Sequence, residues 1–226
     1  MIGALVKAFG QLGDPRLRRV LRWGILGSVA VYVALVALIW TVLANVSLFA
    51  NHWADQGSDL AIGALALVLP VLFFPALVTT IMGPMLDGVA HAVEDRHYPA
   101  LGPGRPQPLS EVVLGTVRLL ALSVVLNLAA LPVYVILLFT GLTVVLAMVL
   151  NGYLLGREYF ELAAFRHMEP SQARLMFRTH LGRLWLAGVV VAFLFSVPLL
   201  NLAAPVLGAA FMTHVVQTLR KRANPL

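Results

Sequence analysis

The chain has 226 residues, of which 60% are hydrophobic and only 12% charged, with a mean hydropathy of +0.90 and a formal net charge of +6. A soluble domain is nearer half apolar and a quarter charged, so composition excludes one and indicates a single integral membrane domain with no separate soluble module. The lack of cysteine excludes disulfides and thiolate chemistry, and in so apolar a chain the basic balance points to cytoplasmic loops facing anionic lipid rather than to nucleic acid.

The first twelve residues, MIGALVKAFGQL, have no long apolar stretch and no cleavage site of a signal peptide. Ile2, Leu5, Val6, Phe9 and Leu12 fall at helical spacing, which predicts an amphipathic helix over 1–12 lying in the membrane interface. Asp14 and Pro15 then suit the N-cap and first position of a helix, and the apolar run behind them predicts a long transmembrane helix over 15–46. A polar loop follows at 47–59. A second apolar segment from Leu60 to Met82 carries Pro70 and Pro75, which predict a kink. It is expected to continue as an amphipathic cytoplasmic extension to 98, making a second long crossing helix over 60–98. PALGPGRPQP (99–108) reads as a loop. The remaining segments are an apolar stretch assigned to 109–155, a charged amphipathic segment at 157–183, and an apolar run over 184–219 leading into a basic tail.

All sixteen Lys and Arg fall in four zones, at 1–22, 96–118, 157–183 and 220–222, while the loop at 47–59 has none and carries Asp55 and Asp59. The positive-inside rule places that loop outside and the four basic zones, with both termini, in the cytoplasm. The last two apolar runs must therefore leave the cytoplasm and return to it. Two crossings and a turn usually need more than about 40 residues, whereas the continuous apolar runs 119–155 and 184–219 have only about 36 each, and the arms 184–197 and 206–219 each reach only about 21 Å. Shallow re-entrant helical hairpins are expected at 109–155 and 184–219. Both contain the sequence Leu-Asn-Leu-Ala-Ala, at Leu126–Ala130 and Leu200–Ala204, with Pro132 or Pro205 just downstream. Asn127 and Asn201 are expected to hydrogen-bond the two turns. Such turns are either helix breaks with no ligand or the walls of a substrate path.

Arg16, Arg18, Arg19 and Arg22 crowd the first two turns of the first long helix, where the helix dipole disfavours cations. Something negative should offset them, either lipid phosphate or a specific anion held by Arg18 and Arg19. Asp87, His91 and Glu94/Asp95 share a helical face, which is the wet side of an amphipathic helix or, less economically, a set of metal ligands. Arg157 and Glu161 can pair at i, i+4, and Tyr159 and Phe160 suit the interface. No nucleophile–base pair, HExxH or phosphate-binding glycine loop is present, so no enzymatic activity, cofactor or metal is assigned.

LGDPRLRRVL (12–21), GPMLDGVAHAVE (83–94), GYLLGREYF (152–160) and SVPLLNLAAPVLGAAF (196–211) together resemble, in order, the CysZ family of bacterial sulfate permeases, of which this chain reads as a divergent member. The resemblance implies an all-helical inner-membrane protein with two long crossing helices and two hemi-penetrating hairpins, a homo-oligomer serving sulfate supply for cysteine biosynthesis. It carries the anion-ligand role to Arg18 and Arg19, and the family's Pro-Leu-Leu-Asn turn to Pro198–Asn201. Two departures stand out: Asp87 follows Pro84, Met85 and Leu86 where a neutral amide is usual, and Glu158-Tyr159-Phe160 replaces Asp-Tyr-Pro. The reading is thus a permease for sulfate or a related small anion, with Arg18, Arg19, Arg22, Asn127 and Asn201 contacting the substrate. Pro84, Asp87, Arg157, Glu158, Glu161, Pro198 and Pro205 act in gating or structure. The alternative is a non-transporting membrane scaffold that binds lipids or partner helices.

Overall fold

The computed structural model describes residues 1–45, 74 and 77–223. The loop expected at 47–59, and most of the apolar segment with Pro70 and Pro75, lie outside the described residues. Among the described residues there is no strand, and the all-α class holds. The α-helices are α1 (Ile2–Gly10), α2 (Pro15–Asn45), α3 (Leu86–His97), α4 (Leu109–Leu137), α5 (Thr143–Ala164), α6 (Pro170–Thr179), α7 (Leu181–Ser196) and α8 (Ala204–Ala223). They fall into two compact units, Met1–Arg18 with Leu86–Leu226, and Arg19–Met85. Two helices among the described residues are long and apolar enough to cross a membrane, Pro15–Thr41 within α2 and Leu109–Leu137.

In the larger unit α8 is the core. Ala204 to Val216 is buried residue after residue, including Thr213 and His214, as expected of a helix surrounded by others. α1, α3, α5 and α7 all pack on it. α1 buries Ala8 and leaves Ile2, Val6 and Phe9 exposed, so the predicted amphipathic helix is present with its apolar edge outward. α5 and α7 meet through glycine: a Cβ on Gly188 would collide with Gly152 O and stand 2.5 Å from Gly156 Cα. The same seam is tied by Trp185, whose indole N–H donates to Val149 O at 3.1 Å. In the smaller unit Gly24 and Gly27 of α2 face the Met82 and Ile81 side chains, and Ser28 Oγ donates to Gly24 O at 2.6 Å.

The turn expected between the arms 184–197 and 206–219 is there. Val197 is extended (φ −93°, ψ 118°), the conformation a following proline favours. Pro198 opens a single helical turn to Asn201, whose N–H donates to Val197 O at 2.8 Å, and Pro205 is the second residue of α8. Leu194, Leu200, Ala203, Ala204 and Leu207 pack around the bend.

The expected turn near Asn127 is not there. α4 runs without interruption for 29 residues through Asn127 and Pro132, and Asn127 Nδ2 donates to Ser123 O at 2.9 Å within its own helix. A single interior proline removes one hydrogen bond, which the surrounding Leu and Ala, good helix formers, tolerate. The chain reverses instead between Leu137 and Thr143. Gly141 there has φ +69°, and the Thr140 hydroxyl donates to Leu137 O at 2.8 Å.

Candidate functional site

Asp14 caps α2 as its sequence position suggests, its Oδ1 accepting the Arg16 N–H at 2.9 Å. Arg16 has a counter-charge of its own: Nη1 stands 2.5 Å from Asp95 Oδ2. The bond to Arg16 draws the Asp95 carboxyl below the ordinary carboxylate range. Arg96 also approaches Asp14 at 3.7 Å. Arg18, Arg19 and Arg22 differ from Arg16. They are exposed along the same helix, and none has an ion-pair partner among the described residues. Local charge crowding at the α2 start is thus relieved at one arginine and left standing at three.

The polar face of α3 is occupied by guanidinium. Arg166, only 5% exposed, lies between α5 and α6. It pairs with Asp87, donates from Nε to Glu94 Oε2 at 3.0 Å, and places Nη2 3.3 Å from His91 Nδ1. Burial works against its charge, yet the bond to Asp87 and the attraction of Glu94 prevail, and its pKa is raised. Glu94 is itself buried. It accepts a hydrogen bond from Gln217 Nε2 at 3.3 Å and lies 3.0 Å from His167 Nε2. Asp87 and Glu94 together neutralise the buried Arg166 cation, and Glu94, expected on the wet side of an amphipathic helix, is buried. Sequence reading missed Arg166 because its partners stand 72 and 79 residues away.

Arg105 ties the loop at 99–108 to the same junction. Its N–H donates to Arg166 O at 2.7 Å, its Nε to Met168 O at 3.2 Å, and its fork grips both carboxylate oxygens of Glu111. At the other end of α3, His97 and Tyr98 abut His214 of α8, with Tyr98 Oη 3.0 Å from His214 Nδ1 and Lys221 over the Tyr98 ring. Burial lowers the His97 pKa, with Lys7 and Arg96 adding to the effect.

Arg157 and Glu161 do pair, Nε to Oε1 at 2.8 Å. Glu158 is exposed, while Tyr159 and Phe160 next to it are buried. Pro84 sits in a single 3-10 turn, Gly83–Met85, immediately before α3. Asn201 keeps its place in the turn, and its Oδ1 is buried with no hydrogen-bond partner among the described residues. Asn127 lies instead on an exposed stretch of α4 and bonds within its own helix.

Residues 4–205 match the family described as sulfate transporter CysZ/etoposide-induced protein 2.4. No curated protein and no solved structure matches the chain.

Proposed function

We propose that this chain, which belongs to the sulfate transporter CysZ/etoposide-induced protein 2.4 family, is a permease for sulfate in the bacterial inner membrane. The observation that carries the reading is the row of exposed arginines, Arg18, Arg19 and Arg22, at the start of a helix of membrane-spanning length, without ion-pair partners among the described residues. Guanidinium forks suit a tetrahedral oxyanion, because each presents two parallel N–H donors to two oxygens. Arg18 and Arg19 capture the anion, and Arg22, one turn on, attracts it.

The α7–α8 pair helps shape the path. α7 has 16 residues and reaches about 24 Å, short of the roughly 30 Å hydrocarbon core. It dips into the membrane and turns back at Val197–Ala203, and Asn201 lines that turn. Both termini face the cytoplasm, where their arginines and lysines meet anionic lipid. Copies of the chain assemble through the lipid-facing helices, and transport proceeds without a nucleotide.

Uptake of labelled sulfate into proteoliposomes tests the proposal. The wild-type protein takes up sulfate, and Arg18→Ala with Arg19→Ala lowers the rate about tenfold or more, the loss expected for removing charged hydrogen bonds. Unchanged uptake in that variant overturns the arginine assignment. No uptake by the wild type overturns the permease and favours a scaffold that binds lipids or partner helices.

A further inference from the structure

A second group of arginines, made of different residues from those of α2, converges on a groove bounded by α4, α5 and α6. The groove has a volume of about 410 Å³, and its charged lining is Glu111, Arg118, Arg157, Glu161 and Arg174. Each of the two acids is already engaged. Glu111 is gripped by Arg105, and Glu161 by Arg157 at 2.8 Å. Arg118, from α4, and Arg174, from α6, have no ion-pair partner among the described residues. A smaller cavity of about 140 Å³ shares Arg157, Glu161 and Arg174, and adds Arg178, likewise without such a partner among the described residues.

Like charges brought to one concavity repel each other, and the apolar wall, which includes Leu114 and Phe165, weakens the screening that water would give. The carboxylates nearest to hand cannot relieve this, because their own guanidinium partners hold them. The unmatched charge of Arg118 and Arg174 favours an anion. Two unmatched guanidinium groups from two different helices offer four or more N–H donors in planar forks, which is the chemistry that recognises tetrahedral oxyanions. The space also exceeds by far the roughly 30 Å³ share of one water, so an oxyanion enters with part of its hydration shell.

We propose that this groove is a binding site for a tetrahedral oxyanion, either free sulfate or the phosphate of an anionic lipid, held by Arg118 and Arg174. Arg178 stands where an anion enters or leaves, and the Arg157–Glu161 pair forms the floor. The site holds its ligand whether or not the anion is carried across the membrane, so its test is one of binding rather than uptake.

The test is calorimetric titration of the purified full-length chain in neutral detergent with sodium sulfate at low ionic strength, where screening is least. Wild-type protein and the Arg18→Ala/Arg19→Ala variant both bind in the groove. Introduced into the Arg18→Ala/Arg19→Ala background, where no α2 site competes, Arg118→Gln/Arg174→Gln weakens that binding about tenfold or more, and Arg118→Lys/Arg174→Lys, which keeps charge but loses the fork, falls between. Both side chains are exposed, so the thermal unfolding of these variants matches wild type. Should the Gln variant nonetheless fail to fold, the Lys variant decides alone.

Unchanged affinity in the substituted groove overturns the proposal, as does the loss of all binding in the Arg18→Ala/Arg19→Ala variant. In a second arm, phosphatidylglycerol micelles are added to the sulfate-loaded wild type. Displacement that the Gln variant abolishes supports the site and assigns it to lipid phosphate. Sulfate that stays bound supports the site and assigns it to the free anion. If neither ligand binds in a way the Gln variant changes, no oxyanion site exists. Absence of uptake with binding intact removes transport and leaves the groove standing.

Discussion

The two helix pairs, α4–α5 and α7–α8, contain the same five-residue sequence and use it in opposite ways. In α7–α8, Leu200–Ala204 is the bend itself; in α4–α5, Leu126–Ala130 lies in the middle of an unbroken helix. The difference lies in what flanks the motif. Two prolines bracket Asn201, and the first favours the extended conformation that Val197 adopts, whereas Asn127 has one proline, downstream only. Burial diverges in parallel. α8 is enclosed almost throughout, and α4 buries only Ala130. A polar residue in an apolar run is therefore no turn signal by itself. Proline on both sides makes it one.

The largest expected effect lies in the ionic support around α8. Glu94→Ala leaves Arg166 without its buried partner and is expected to cost about 3–5 kcal/mol of stability, read as lost thermal stability in detergent. Asp87, the other acid on Arg166, is too exposed to substitute for it. Gly188→Val drives a side chain into Gly152 and Gly156, with an expected loss of about 3 kcal/mol, the upper range for overpacking. Gly115→Ala in α4, where a Cβ meets nothing within 4 Å, raises stability by up to about 1 kcal/mol in the same assay.

The prolines sharpen the contrast. Pro132→Ala restores a helix hydrogen bond in α4 and raises the midpoint, while Pro198→Ala loosens the bend, lowering the midpoint through a stability loss of about 0.5–1 kcal/mol. If both substitutions moved the midpoint in the same direction, the flanking-proline account would fail.

The smallest effect lies at the α2 start. Asp95 has a lowered pKa in the folded protein, so its pairing with Arg16 stabilises the fold above the unfolded carboxylate value of about 3.8 and is lost as pH falls through the lower folded value. The difference in unfolding midpoint between wild type and Asp95→Asn should therefore be present at pH 6 and shrink towards zero in strong acid.

Features set by neighbours along the chain are legible in the sequence itself. Asp14 caps α2, Arg157 reaches Glu161 across one helical turn, the apolar edge of α1 is outward, and Pro198 marks a bend. Thr140-Gly141 is a turn signal too, but the repeated Asn motif draws the expected break to Asn127 instead. What sequence does not disclose depends on distance along the chain. Arg166 meets Asp87 and Glu94 across more than seventy residues, and Arg118 and Arg174 meet only because α4, α5 and α6 fold around one groove. A basic stretch announces its charge, but only packing decides which of its arginines have their counter-charge supplied within the chain.

The enclosure of α8 also bears on how the protein is made. Its Thr213, His214 and Gln217 side chains are at most 1% exposed, and their comfort depends on α1, α3, α5 and α7 surrounding them. Yet α8 leaves the ribosome after every one of those helices, which must wait with an empty seat at their centre. Insertion of the earlier helices is thus a provisional arrangement, and the arrival of residues 204–223 is the step that closes the unit.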